Sequence, residues 1–294
     1  MIFHETLRQL SHLANLLGDQ TLDEFWNTTA NTIRTNLERF WDPSANLYVD
    51  NLSNQTLHPQ DGNSLAVVFG LVDSTRATQV TSALKARWGS YGPVNPECSG
   101  PVSPFISGFE LQALCRANRI RDALSLIRTA WGWMLNNPAS TGSTMLEAWG
   151  GDGSLVYPFY EHKPSYISHC HPWSTGPVLV LTYEVLGLNF VKEAGTEWEF
   201  RPSTGDLEEC EGGYTGIKGT YSAGWKKIRK DGVMSLRAWV DTPEGTVGKV
   251  KLQVFGTMSM VVLKINQQSR KIDMVDGHVL ITGCRGGQRY EFEI

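Results

Sequence analysis

The sequence predicts an α + β multidomain chain, with a helical region over residues 1–190 followed by an antiparallel β-sandwich over 191–294. Three observations carry this reading. Apolar residues recur at helical spacing up to about Leu188, they alternate at period two after Asn189, and Gly, Pro and Trp collect in the loops between the helical stretches. With 294 residues, 41% of them apolar and only 19% charged, the chain can bury a substantial core and divide into two domains.

Thr6 to Leu17 sets Leu7, Leu10, Ala14 and Leu17 on one stripe, and Gly18-Asp19 ends that helix. Thr21 then reads as the cap of a second helix, Leu22 to Phe40, with Glu24 at the capping-box position, so an antiparallel pair with a tight joint is expected. Further helical patterns run over Asn63 to Val72, Thr75 to Trp88, Ile106 to Ala117, Ile120 to Leu135 and Gly176 to Leu186. The irregular loops between them are expected to gather at one rim. Lys192 to Cys210 reads as a bridge, after which come the strand-like runs GTYSAGWKKI, VMSLRAWV, KVKLQVFG, MVVLKINQ and HVLITGC. Turns at Asp231-Gly232, Pro243 to Thr246 and Asp276-Gly277 punctuate them, as a small antiparallel sandwich requires.

Charge and composition exclude several function classes. A formal net charge of −4 with no basic block argues against nucleic acid or an anionic membrane as partner. No run approaches the ~18 apolar residues of a bilayer span, and Glu5 falls where a signal peptide would be apolar. Three glycosylation sequons, Asn27-Thr28-Thr29, Asn51-Leu52-Ser53 and Asn54-Gln55-Thr56, nevertheless hint at secretory ancestry. Cys98, Cys115, Cys170, Cys210 and Cys284 never fall in CxxC spacing, so buried thiols are expected rather than a zinc site or a disulfide framework. The run Gly150 to Leu155 resembles a phosphate loop but lacks its GK[ST] ending, and there is no GxSxG elbow; no cofactor is expected.

Chemistry concentrates between Ser143 and Pro177. Glu147 stands between apolar neighbours and Trp149, and His169, His171 and Trp173 follow. Acid, imidazole and flat aromatic surface are the parts that hold a sugar ring and activate a water against it. The plainer account makes Glu147 an exposed acid, or one at a helix N-terminus, with no special role, and the two histidines loop-bonding residues. As a metal pair they are poor, being two positions apart with no ligand cluster nearby. Asp61 reads as the cap of the following helix, with Gln60 or Asp61 alternatively reaching into the rim. Trp88, Trp131 and Trp133 read as core.

Four ordered segments resemble one family. His58 to Val72 (HPQDGNSLAVVFGLV), Ser103 to Leu114 (SPFISGFELQAL), Trp131 to Trp149 (WGWML and STMLEAW) and Ser168 to Pro177 (SHCHPWSTGP) are similar to the C-terminal half of bacterial- and fungal-type α-L-rhamnosidases. Pro202 to Lys227 is similar to the start of the β-sandwich that closes those enzymes. The resemblance implies an incomplete α/α toroid of the six-hairpin glycosidase type followed by the sandwich. It further implies an inverting hydrolysis of terminal α-L-rhamnose from small-molecule glycosides or oligosaccharides.

By the same resemblance Glu147 matches the general base. A histidine some twenty residues later shapes the sugar pocket; His169 and His171 both match, and His171 is preferred for lying nearer the helix start. Trp149 and Trp173 would offer apolar faces to the ring, with Gln60 and Asp61 at the rim. The helices here are too few for the full toroid, and the general acid is expected upstream of Met1. Glu97 and Glu110 are the acids near motif loops that could stand in for it. Two rival readings follow: a non-catalytic carbohydrate-binding or scaffold protein, and a pocket recruited for another acid-base reaction. The incomplete toroid edge would also leave apolar surface open to self-association.

Overall fold

The computed structural model describes residues 1–161, 163–230, 233–255 and 260–294. They form two compact units, Met1–Pro177 and Val178–Ile294, with the division falling before the expected 190/191 boundary. The Asp231-Gly232 turn lies outside the described residues.

The first unit opens with α1 (Ile2–Leu17) and α2 (Gln20–Leu37). Gly18 ends α1 in the left-handed region at φ 77°, where a side chain would be strained. The cap of α2 is Asp19, whose carboxylate accepts from Leu22 N at 3.0 Å, rather than the expected Thr21. This cap leaves Glu24 outside the capping-box position. The pair is antiparallel, as Arg8 bonding Asn27 at 2.9 Å and Asn15 bonding Asp23 at 3.2 Å require.

A two-stranded ribbon, β1 (Trp41–Asp42) and β2 (Leu47–Tyr48), leads to α3 (Gln60–Val68) and α4 (Ser74–Lys85). The short antiparallel pair β3 (Trp88–Gly89) and β4 (Gly92–Pro93) precedes α5 (Pro104–Arg116) and α6 (Ile120–Leu126). α6 continues through a π-helical stretch, Ile127–Trp131, into α7 (Gly132–Asn136). Buried Leu47, Val67, Ala77, Val80, Leu84 and Ala113 form one cluster that ties β2, α3, α4 and α5 together. α8 (Gly176–Leu179) spans the division between the units and passes into a π-helical stretch, Val180–Leu186.

The second unit contains β5 (Leu188–Phe190), β6 (Glu197–Phe200), β7 (Glu209–Gly216), β8 (Gly219–Lys230) and β9 (Val233–Asp241). It ends with β10 (Val247–Gln253), β11 (Met260–Ile265), β12 (Gln268–Asp273), β13 (His278–Arg285) and β14 (Arg289–Glu293). Two sheets result, in the orders β13-β10-β6-β5 and β12-β11-β14-β9-β8-β7. The expected bridge thus contains β6, and β6 pairs parallel to β10, so the sheets are not wholly antiparallel. Alternation had concealed β6 because Trp198 and Phe200 are buried within only four residues, Glu197–Phe200. Asp276 and Gly277, with φ of 50° and 72°, make the turn expected there.

Candidate active site

Glu147 lies on an irregular segment, at a bend two residues before the bridge at Trp149, and not in a helix. Its N–H donates to Ser168 O at 2.9 Å, His171 N–H donates to Met145 O at 2.9 Å, and Thr144 Oγ1 donates to His169 O. On the other side Val102 and Trp149 exchange both backbone bonds, at 2.8 and 3.1 Å. Leu146, Ala148 and Trp149 are buried, whereas Glu147 is half-buried. The buried neighbours of Glu147 therefore anchor this loop segment and leave the carboxylate at its boundary with solvent.

Both carboxylate oxygens have a donor. Tyr160 Oη donates to Oε1 at 2.5 Å and Ser168 N donates to Oε2 at 3.1 Å. Among the described residues neither His169 nor His171 bonds this carboxylate. His171 is half-buried, and its ring meets Trp173 edge-on at 4.6 Å between centroids. Trp173 is 62% exposed and lies 5.7 Å from Phe105.

Trp149 is not a sugar platform. It is fully buried, donates its indole N–H to Tyr91 O at 3.1 Å and packs on Trp133 at 4.7 Å, so its burial holds the Glu147 segment in place. Gln60 is also displaced from the expected rim. It is 2% exposed and donates Nε2 to Glu110 Oε2 at 2.7 Å, while Trp88 Nε1 donates to Oε1 at 2.6 Å. Burial pushes the Glu110 carboxyl above the usual carboxylate range, against the pull of these two donors.

Asp61 is half-buried in the first turn of α3 and does not cap it. Glu97 does so from another loop, accepting Gln60 N at 2.9 Å and Asp61 N at 3.0 Å. Burial raises the Glu97 pKa, with those two N–H bonds opposing and the Asp61 charge adding to the rise. Cys98, next in the loop, shares a hydrogen bond with the Tyr157 hydroxyl, and burial pushes both groups up. Tyr157 packs on Tyr160 at 5.2 Å and feels the Glu147 charge, so Asp61, Glu97, Cys98, Tyr157, Tyr160 and Glu147 form one connected neighbourhood.

Tyr160 and Ser168 escaped the sequence reading. The signal was the aromatic run Tyr157 to Tyr166 within the motif segment, but no spacing rule identifies which of its rings meets the acid. Of the cysteines, Cys284 is buried and Cys170 is exposed, so the expectation of uniform burial is corrected. No group of three or more His, Cys, Asp or Glu stands together to hold a metal among the described residues. An open groove of about 1020 Å³ crosses the six-stranded sheet, but it contains none of these site residues. Several of its charges are already paired, Lys226 with Glu209 and both Arg237 and Lys264 with Glu293.

No protein-family model matches the chain, and no curated protein matches it by sequence. Solved structures do match. The α-L-rhamnosidase from Dictyoglumus thermophilum superposes with a TM-score of 0.77 at 17% identity, over 99% of this chain and 31% of that one. The chain has the fold of part of an α-L-rhamnosidase. The Streptomyces avermitilis α-L-rhamnosidase, solved in complex with L-rhamnose, matches at 0.71 and 16% identity, over 99% of this chain and 26% of that one. The Aspergillus terreus α-L-rhamnosidase matches at 0.64 and 16% identity, over 95% and 29%. The chain thus spans about a quarter to a third of these rhamnosidases' length.

Proposed function

We propose that this chain is the base-bearing portion of a rhamnosidase-type site, with its helical unit an arc of an α/α toroid and its two sheets a β-sandwich. The reaction is removal of terminal α-L-rhamnose with inversion. Glu147 deprotonates a water for attack on the anomeric carbon, while His171 and Trp173 position the sugar. The observation that carries this is the setting of Glu147: a half-buried carboxylate, held by Tyr160 and Ser168 beside the His171 segment, in a fold shared with α-L-rhamnosidases. The two donors, one on each oxygen, fix where that carboxylate faces.

Inversion also requires a second carboxyl group, roughly 6.5–9.5 Å from the first, to protonate the leaving oxygen. Glu97 is occupied in capping α3, and Glu110 is fully buried against Trp88 and Gln60, so neither serves as that donor. The acid comes from outside this set of residues. Those occupied acids are also what favours the second reading, a carbohydrate-binding protein that retains the rim without cleaving.

An aryl α-L-rhamnoside separates these readings. Hydrolysis that falls by about 10²–10⁴-fold in Glu147→Gln, with an unchanged circular dichroism spectrum, supports the base. Unchanged turnover in that variant rejects it. Calorimetric binding of the rhamnoside without sugar release by the wild type selects the binding protein.

A further inference from the structure

We infer that Tyr160 is the positioning residue of Glu147, its phenol clamping Oε1 while the Ser168 N–H holds Oε2. This rests on Glu147 as the base and adds the group that aims it. Donors on two different oxygens, from two different segments, fix both the position of the carboxylate and its rotation about the terminal side-chain bond. One donor alone would leave that rotation free. A carboxylate oxygen accepts more than one hydrogen bond, so each retains a direction for water.

Tyr160 is itself braced for this task. It closes a 3-10 turn, Pro158–Tyr160, in which its own N–H donates to Tyr157 O at 3.0 Å. Its ring meets Tyr157 at 5.2 Å and Tyr166 at 6.2 Å, both edge-on. Tyr157 in turn bonds Cys98, adjacent to the Glu97 cap. The clamp is therefore tied to the first turn of α3 through a chain of rings and hydrogen bonds.

Chemically, a phenol donating to an ionised oxygen makes a stronger bond than one donating to a neutral oxygen. The bond from Tyr160 to the Glu147 carboxylate is of that charge-assisted kind. It also retains the phenol proton, so the Tyr160 pKa is raised chiefly by that bond. Ser168 contributes only backbone and cannot be deleted by substitution, whereas Tyr160→Phe removes one hydroxyl and leaves the ring contacts in place.

The test follows the tyrosine Cζ carbons by NMR during a pH titration of the ¹³C-labelled protein. The resonance missing from Tyr160→Phe identifies Tyr160. In the wild type it should titrate above an ordinary tyrosine, and in Glu147→Gln it should move back toward the ordinary range. A Tyr160 resonance indifferent to Glu147→Gln overturns the inference. On the aryl rhamnoside, Tyr160→Phe should lower kcat about tenfold with KM within about twofold, whereas an equal kcat in that variant also overturns it. Absence of turnover in the wild type counts against the proposed hydrolysis, and the NMR titration still decides the clamp.

Discussion

At the scale of single residues, the acids of the first unit differ by what surrounds them. Glu147 is held at the solvent boundary by a phenol and an amide, whereas Glu110, two helical turns into α5, is sealed between Trp88 and Gln60. Gln60 Oε1 is buried without a partner. Turning that amide would present the oxygen to a protonated Glu110, the form that burial favours. A carboxyl raised in the native state keeps its proton after the unfolded chain has lost its own. Its contribution is fully present at acid pH and is lost as pH climbs from the ordinary carboxylate range toward the native value. Glu110→Gln should flatten the fall in melting temperature over that window and leave stability at neutral pH within about 1 kcal/mol of wild type. A steeper fall in thermal melts of the variant would contradict this. Legibility at this scale was partial: the run around LEAW marked Glu147, but Tyr160 and Ser168 reach it only through loop closure.

At the scale of elements, close backbone approach and long-range capping decide what local pattern does not. Helical spacing located the described α-helices of the first unit but none of the 3-10 turns in its later loops, and α3 starts at Gln60 rather than Asn63, its first N–H groups capped by Glu97, more than thirty residues downstream. The start of α8 is pressed against α5 within the first unit. A Cβ built on Gly176 would stand 2.6 Å from Gly108 Cα, a contact with backbone that no rotamer relieves. Trp131 fastens the same junction by donating to Ser174 O at 2.7 Å, at the end of the 3-10 turn Pro172–Ser174 that leads from His171 to the helix. Gly176→Ala should therefore destabilise by about 1–3 kcal/mol in urea unfolding and weaken any rhamnoside binding, by shifting the residues that carry His171 and Trp173. Wild-type stability in that variant would show that the junction yields without cost.

At the scale of the whole molecule, each unit has its own core, and the fold is that of α-L-rhamnosidases far longer than this chain. The helical unit carries more apolar surface than its own core uses. Along α1 and α2, Leu7, Ala14 and Ala30 are buried, yet Ile2, Phe3, Leu13, Leu16, Leu17 and Phe25 are exposed. An apolar second face on a paired helix seeks a cover. Light scattering of this chain alone should report a mass that rises with concentration, and Leu16→Glu with Phe25→Glu should restore a monomer. A dilute, salt-independent monomer in the wild type would exclude that association.

The amino-acid pattern by itself determined the order of the α-helices and the switch from period 3.6 to period two, because these are properties of neighbours along the chain. Only the tertiary structure decided that Trp149 is an anchor rather than a sugar platform, that Gln60 serves Glu110, that β6 runs parallel to β10, and that Tyr160 holds Glu147. Each of those outcomes depends on which distant group fills a given space or meets a given hydrogen bond. Burial and pairing are settled by closure of the chain in three dimensions, where a buried polar group without a partner costs more than any local preference returns.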